Sequence, residues 1–193
     1  MARKPSADRV SQAQKTKKKI FQSASKLINK YGYNQVTIEE ISKKAGVSVG
    51  AFYHYYNSKT DILVEFFKQI DVYYEDIVEK QMTGDPDKDL VVFFYHYAKY
   101  HVEQGLEHTS MIIRIQSPFF LDNTRYLPRK LISIVESAKE NGRVAEQYST
   151  ELVSDYMMTI ARGVLFDWVL TQGDYDLLEK MTEYISMSKK AFL

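Results

Sequence analysis

Apolar residues recur three and four positions apart along almost the whole chain, the signature of amphipathic helices. The first stripe is Ile20, Phe21, Ala24, Leu27 and Ile28, which predicts a helix from about Gln12 to Tyr31, stopped at Gly32. Thr37 followed by Glu40 reads as a capping box that opens a short helix carrying Ile38, Ile41 and Ala45. Gly46 ends that helix, and Ser48 caps a second short one with Val49, Ala51, Phe52 and Tyr53. Ser58-Lys59-Thr60-Asp61 starts a long helix reaching about Gln81. Five more helical segments follow, at about 86–104, 107–116, 123–141, 149–172 and 174–191. Breaks at Gly84-Asp85-Pro86, Gly105, Ser117-Pro118, Asn141-Gly142 and Gly173 separate them. The alternation that marks strands is missing at any useful length. Residues 1–11 mix Pro, Ser, Lys and Arg without apolar period and read as a flexible basic arm. The expected fold is all-α, divided into the arm (1–11), a three-helix module (12–57) and a larger helical body (58–193).

Two short helices joined by a tight glycine turn are a helix-turn-helix pattern. Ala45 is small enough for close helix approach, and Gly46 can take the positive φ that the turn needs. Ile38, Ile41 and Phe52 can close a miniature core with Leu27 and Ile28, leaving the outer face of the second helix for a DNA major groove. That face would present Ser48, Val49, Gly50, Tyr53 and His54. Val49 can touch a thymine methyl, His54 can donate to a base edge or a phosphate, and Gly50 lets the backbone come close. Thr37 at a helix N-terminus, the Tyr53 hydroxyl and Lys59 suit phosphates. Thr37 and Ser48 are equally explained as caps, Tyr55 and Tyr56 as packing, and Lys17, Lys18 and Lys19 as a solvated face.

Charge sharpens this picture. The net charge of the 193 residues is only +1, but residues 1–60 hold 12 Lys/Arg against 3 Asp/Glu and the remainder is acidic. A basic end on an acidic body points to a nucleic-acid partner, or to a solubilising tail. The absence of cysteine removes disulfides, thiolate metal sites and a cysteine nucleophile. His96, His101 and His108 are not four apart on one helix face, so no metal site is expected. The motifs of serine hydrolases, phosphate-binding glycine loops and zinc proteases are missing as well, so the protein is not expected to be an enzyme or to carry a cofactor. The first residues lack a signal-peptide core, and no apolar run is long enough to span a bilayer. A cytoplasmic protein without a membrane partner is the expectation.

The segments Tyr31-Gly32-Tyr33, Val36-Thr37-Ile38-Glu39-Glu40-Ile41, Lys44-Ala45-Gly46-Val47-Ser48 and Phe52 through Leu63 together resemble the DNA-binding head of the TetR family of transcriptional regulators. The resemblance covers residues 16–65. It implies a homodimer, a palindromic operator in double-stranded DNA, and repression relieved by a small ligand bound in the body. Carried over by position, it puts phosphate contacts at Thr37, Tyr53 and Lys59 and base-proximal positions at Ser48, Val49, Gly50 and His54. Tyr55 and Tyr56 depart mildly from the family pattern, so either His54 or Tyr55 can face DNA.

The body resembles the family only in architecture. Its last two helices suggest a dimer interface at Leu165, Val169, Leu177, Leu178 and Met181, residues that would serve equally well in the protomer core. A ligand pocket for an apolar or aromatic effector is expected among Phe94, Tyr97, His101, Met111, Phe119, Phe120, Tyr126, Met157, Arg162 and Trp168, since aromatic and methionine walls suit such molecules. A different reading of the same fold is a constitutive DNA-binding or chromosome-organising factor with no effector.

Overall fold

The computed structural model of the protein describes residues 7–114 and 122–190. Nine helices are described, and no strand occurs among the described residues. The chain divides into two compact units, Met1–Phe66 and Phe67–Leu193.

The first unit contains α1 (Ala7–Tyr31), α2 (Ile38–Ala45), α3 (Val49–Tyr55) and the start of α4 (Lys59–Tyr73). Helix α1 begins at Ala7, so the expected arm is already helical from there. The sequence has no Gly or Pro between Ser6 and Tyr31, and its Ala, Gln, Lys and Arg residues favour helix. The miniature core is Ile20, Ala24, Ile28, Val36, Ile41, Ala45 and Phe52, all but fully buried, while Leu27 and Ile38 are half-buried. The unit extends to Phe66 because the first turns of α4 belong to this core. Ile62, Leu63 and Phe66 are buried, the Phe21 and Phe66 rings lie 4.9 Å apart, and Lys17 Nζ donates to Glu65 Oε2 at 3.1 Å.

The second unit holds the rest of α4, then α5 (Pro86–Gln104), α6 (Leu106–Arg114), α7 (Tyr126–Glu140), α8 (Thr150–Leu170) and α9 (Leu177–Lys189). Side-chain caps fix the starts of α5, α8 and α9. Asp85 accepts from Asp87 N, Ser149 from Leu152 N, and Asp176 from Leu178 N and Glu179 N. The Asp176 cap is why α9 starts at Leu177, three residues later than the periodicity predicts. Helix α5 packs against α6, α7 and α9, and α8 against α6, α7 and α9. Phe93, Phe94 and Tyr97 of α5, Leu131 and Ile134 of α7, Met157, Val164, Leu165 and Trp168 of α8, and Leu177, Met181 and Ile185 of α9 form one continuous core.

Two local features tie α4 into this unit. Its α-helical hydrogen bonding gives way to a π-turn at Tyr74–Val78, where Tyr74 is fully buried and donates to Phe93 O at 2.5 Å. One turn earlier, Asp71 receives a two-pronged ion pair from Arg125, at 2.9 Å from Nε and 3.1 Å from Nη2. Arg125 Nη2 also donates to Phe67 O at 2.9 Å, and Asp71 accepts Leu127 N at 3.1 Å, which holds the start of α7 on α4. The two side chains are only 8% and 16% exposed. Removing one partner leaves the other charge nearly dry, so Asp71→Ala is expected to cost about 3–5 kcal/mol. Urea unfolding followed by the fluorescence of Trp168, the single tryptophan, reports that unit directly. A loss under about 1 kcal/mol, the worth of a surface pair, would contradict this account of the clamp.

Candidate functional site

The first unit presents α3 on a frame of caps and one special turn. Thr37 Oγ1 accepts Glu40 N at 3.2 Å while Glu40 Oε2 accepts Thr37 N at 2.9 Å, closing the expected capping box. Gly46 adopts φ 64° and ψ 39°, and its N–H donates to Lys43 O at 3.1 Å. Any residue with a Cβ would be strained there by roughly 1 kcal/mol. Ser48 Oγ accepts Ala51 N at 3.1 Å. An accepting hydroxyl keeps its own proton, so Thr37 and Ser48 cap their helices and still offer one donor each.

Helix α3 is seven residues long and is anchored inward by Phe52 alone among its buried side chains. Its outward positions match the expectation in exposure: Ser48, Gly50, Tyr53 and His54 are exposed, and Val49 and Tyr55 are half-buried. Tyr56, at 3% exposure, belongs to the core, where its hydroxyl donates to Lys17 O at 3.5 Å. Burial raises its phenol pKa well above the ordinary tyrosine value.

Lys59 behaves differently from the expected phosphate contact. Its ammonium donates to Tyr33 O at 2.7 Å and Val36 O at 2.9 Å, and sits 4.2 Å from the Tyr33 ring centre. Two of its three protons are therefore committed to the loop that leads into α2. Partial burial lowers its pKa. Lys59 holds the α1–α2 loop, and through it the N-terminus of α2 beside Thr37. Nothing in the sequence pattern distinguishes that role, because a lysine in the first turn of a helix serves either.

In the second unit, α5, α6 and α8 enclose a cavity of about 390 Å³, a volume ordinary for small-molecule sites. Of the expected pocket residues, Tyr97, His101 and Arg162 line it, together with Ile112, Ile113, Gly163, Leu165 and Phe166. Phe94 and Met157 are instead fully buried in the core, and Met111 is buried off the cavity wall. The Tyr126 hydroxyl donates to Glu79 at 2.6 Å, and the Trp168 indole lies against Gly173. Phe119 and Phe120 lie outside the described residues. Tyr97 is 4% exposed. Burial raises its pKa to about 12 against the pull of the Arg162 and Arg125 charges. Arg162 Nε donates to Met158 O at 3.2 Å, and its Nη2 lies 3.6 Å from Asp155, whose side chain is largely in solvent. His101 Nδ1 is 3.1 Å from Thr109 Oγ1.

The expected dimer residues are relocated as well. Leu165, Leu177 and Met181 are 2%, 1% and 0% exposed within the single chain, and Val169 and Leu178 are half-buried. The first three fill the protomer core and leave no surface to share. The large exposed apolar side chains of α8 are instead Leu152, Tyr156, Phe166 and Leu170. Their spacings of four, ten and four residues place them on one helix face, but α8 is apolar on nearly every side, so periodicity alone does not say which stripe faces out.

Residues 20–66, the helix-turn-helix and the first turns of α4, match the model for bacterial regulatory proteins of the TetR family. Residues 20–66 are thus similar to the DNA-binding domain of that family. Over 170 residues it is 26% identical to the fatty acid metabolism regulator protein of Bacillus subtilis, covering 82% of this chain and 86% of that one. It is 23% identical over 194 residues to the transcriptional repressor BepR of Brucella suis, covering 91% and 90%. The crystal structure of FadR from Bacillus subtilis in complex with stearoyl-CoA shares its fold with a TM-score of 0.73 at 20% identity, over 91% of this chain and 98% of that one. A TetR regulator from Haloarcula marismortui does so with a TM-score of 0.73 at 21% identity, over 93% and 99%. These relatives are transcriptional regulators, not enzymes. No described helix is long and apolar enough to cross a membrane.

Two outcomes test this geometry. Lys59→Met should weaken DNA binding at every salt concentration while leaving the slope of log affinity against log salt unchanged. A slope smaller by about 1 would mean that a phosphate contact had been lost and would restore the direct role. The buried histidines set a pH dependence. Burial and the neighbouring His108 push His101 down to about 3, and burial pushes His108 down to about 4. The folded state therefore stays neutral at these positions while the unfolded chain takes up protons below pH ~6.5. Stability should fall as pH drops from 6.5 to 5, by up to about 1.4 kcal/mol per pH unit for each histidine. Trp168 melting curves across that range check the sign, and a flat profile would contradict it.

Proposed function

We propose that the protein is a dimeric repressor that reads a palindromic operator with α3 and is released by a small effector held in the cavity of the second unit. The observation that carries the DNA half is the outward face of α3: Gly50, Tyr53 and His54 stand exposed on a unit rich in Lys and Arg. Base-reading groups belong on Val49, Gly50 and His54, and backbone-positioning donors on Thr37, Ser48 and Tyr53. One head covers one half-site, so a palindrome calls for two heads about 34–36 Å apart.

The dimer surface belongs on the exposed stripe of α8 and the adjoining edge of α9. Leu152, Phe166 and Leu170 are 54%, 50% and 63% exposed, and Met187 is 61% exposed. Lys180 of α9 reaches Asp167 of α8 at 2.8 Å and lies over the Tyr184 ring, which sets the 180–184–187 edge beside the α8 stripe. With Tyr156 and Tyr184, these side chains expose roughly 600 Å² of largely apolar residue surface, close to the ~800 Å² that each partner contributes to a standard interface.

The effector should have an apolar body and one acidic end. Ile112, Ile113, Leu165 and Phe166 offer the apolar wall, and Arg162 with the Tyr97 hydroxyl offers the polar end. The relative whose structure holds stearoyl-CoA supports a long apolar ligand. The cavity also weighs against the constitutive reading, for which no binding space is needed.

Selection of genomic fragments with the purified protein supplies the operator, and decanoate and 1-decanol then serve as probes. Decanoate is expected to release the operator complex and raise the melting temperature. Decanol should act at least tenfold more weakly, and Arg162→Gln should narrow that gap. Equal potency of the two would discard the acidic end. Inertness of both, with operator binding intact, would favour the constitutive reading.

A further inference from the structure

We infer that the cavity selects an apolar acid that also carries a hydroxyl or N–H group, received by His101, which narrows the effector reading above and rests on it. One proton decides the role of this histidine. Thr109 Oγ1 lies 3.1 Å from Gly105 O, 3.4 Å from His101 O and 3.1 Å from His101 Nδ1. The two carbonyl oxygens only accept, and a threonine hydroxyl has a single proton to give. Were that proton on the Nδ1 side, the hydroxyl lone pairs would face both carbonyls with no water to relieve them, since Thr109 is 0% and His101 4% exposed. All three contacts are favourable together only when Thr109 donates to the backbone and accepts a hydrogen carried on Nδ1.

A neutral imidazole with its hydrogen on Nδ1 keeps a lone pair on Nε2. Burial and the neighbouring His108 push the His101 pKa down to about 3, so the ring stays neutral at ordinary pH. Tyr97 and Tyr100 stand edge-on to it, with ring centres 5.1 and 5.7 Å away, and hold its plane. His101 is on the cavity lining, and Thr109 lies off it. With Nδ1 turned to Thr109, the edge left for the cavity is the one that carries Nε2. That edge accepts and has no hydrogen to give.

The lining thus offers two polar groups of opposite need. Arg162 only donates, so it takes the acid end of a ligand, and a carboxylate has no proton for His101. A ligand that drives water off Nε2 without replacing its hydrogen bond leaves a buried acceptor unpaired. A hydroxyl in reach of Nε2 restores the bond. Sites built to pair a ligand hydroxyl reject the analogue that lacks it far more strongly than an apolar wall rejects a missing methylene. Arg162 therefore separates acids from alcohols, and His101 separates one acid from another of the same length.

Two measurements on the wild-type protein test this. Long-range proton–nitrogen NMR of the histidine rings reads the tautomer of His101 without any ligand, and a hydrogen on Nδ1 is expected. Decanoate is then compared, by melting-temperature shift and release of the selected operator, with a set of monohydroxydecanoates that differ only in where the hydroxyl sits. At least one of them should bind roughly tenfold more tightly than decanoate. Thr109→Val removes the hydroxyl that fixes the ring and leaves the lining residues in place. It should erase most of that preference while the gap between decanoate and decanol persists. A hydrogen on Nε2 overturns His101 as the acceptor. Decanoate bound as tightly as every hydroxydecanoate overturns the donor requirement and leaves the acidic end standing. A Thr109→Val chain with its hydroxyl preference intact overturns the role given to Thr109. Silence of every probe, with operator binding intact, overturns the effector reading and this inference with it.

Discussion

Everything the head can present to DNA depends on burying one ring. Helix α3 has seven residues, too few to hold helical structure in water by its own hydrogen bonds. It persists because Phe52 is fully buried, with the Tyr56 ring centre 5.7 Å away. Ser48 satisfies the first free amides, and the left-handed Gly46 sets the angle at which α3 leaves α2. With the inward face fixed in this way, Gly50, Tyr53 and His54 are left pointing outward. Burial of such a ring is worth roughly 2–3 kcal/mol, comparable with what a few base contacts contribute, so reading and folding draw on interactions of the same size.

The body is built on the opposite logic. Its central helix α8 has apolar residues on two faces. Val153, Met157, Ala161, Val164 and Trp168 are buried in the protomer, and Leu152, Phe166 and Leu170 remain in solvent. Between them lies a cavity with apolar walls, one guanidinium and one buried phenol hydroxyl. Where α4 enters this unit, the Asp71–Arg125 pair and the buried Tyr74 hold it to α7 and α5.

The all-α class, nearly every helix, and the capping box, glycine turn and Ser48 cap were legible because each rests on local chemistry. The outward set on α3 was legible for the same reason, since Phe52 alone has to turn in. What the pattern left open depended on partners distant in sequence. The place of Lys59 in the first turn of α4 suggests a phosphate ligand but does not show that Tyr33 O and Val36 O also lie on its ammonium. Leu165, Leu177 and Met181 looked like an interface because a protomer core and a dimer seam use the same residues. Phe94, Met157 and Trp168 were plausible cavity walls because aromatic and methionine content is identical in a packed core and an empty one. Of the expected pocket residues, Tyr97, His101 and Arg162 reach the cavity.

The account stands most directly on α3 as the element that reads sequence. The decisive measurement is the affinity of the wild-type protein and of His54→Ala for the selected operator and for a scrambled duplex, each across a range of salt. The expected result is a drop of about 1–3 kcal/mol on the operator, little change on the scrambled duplex, and parallel salt slopes. An equal loss on both duplexes would show that His54 only helps hold the phosphate backbone, and that α3 does not read the bases as described.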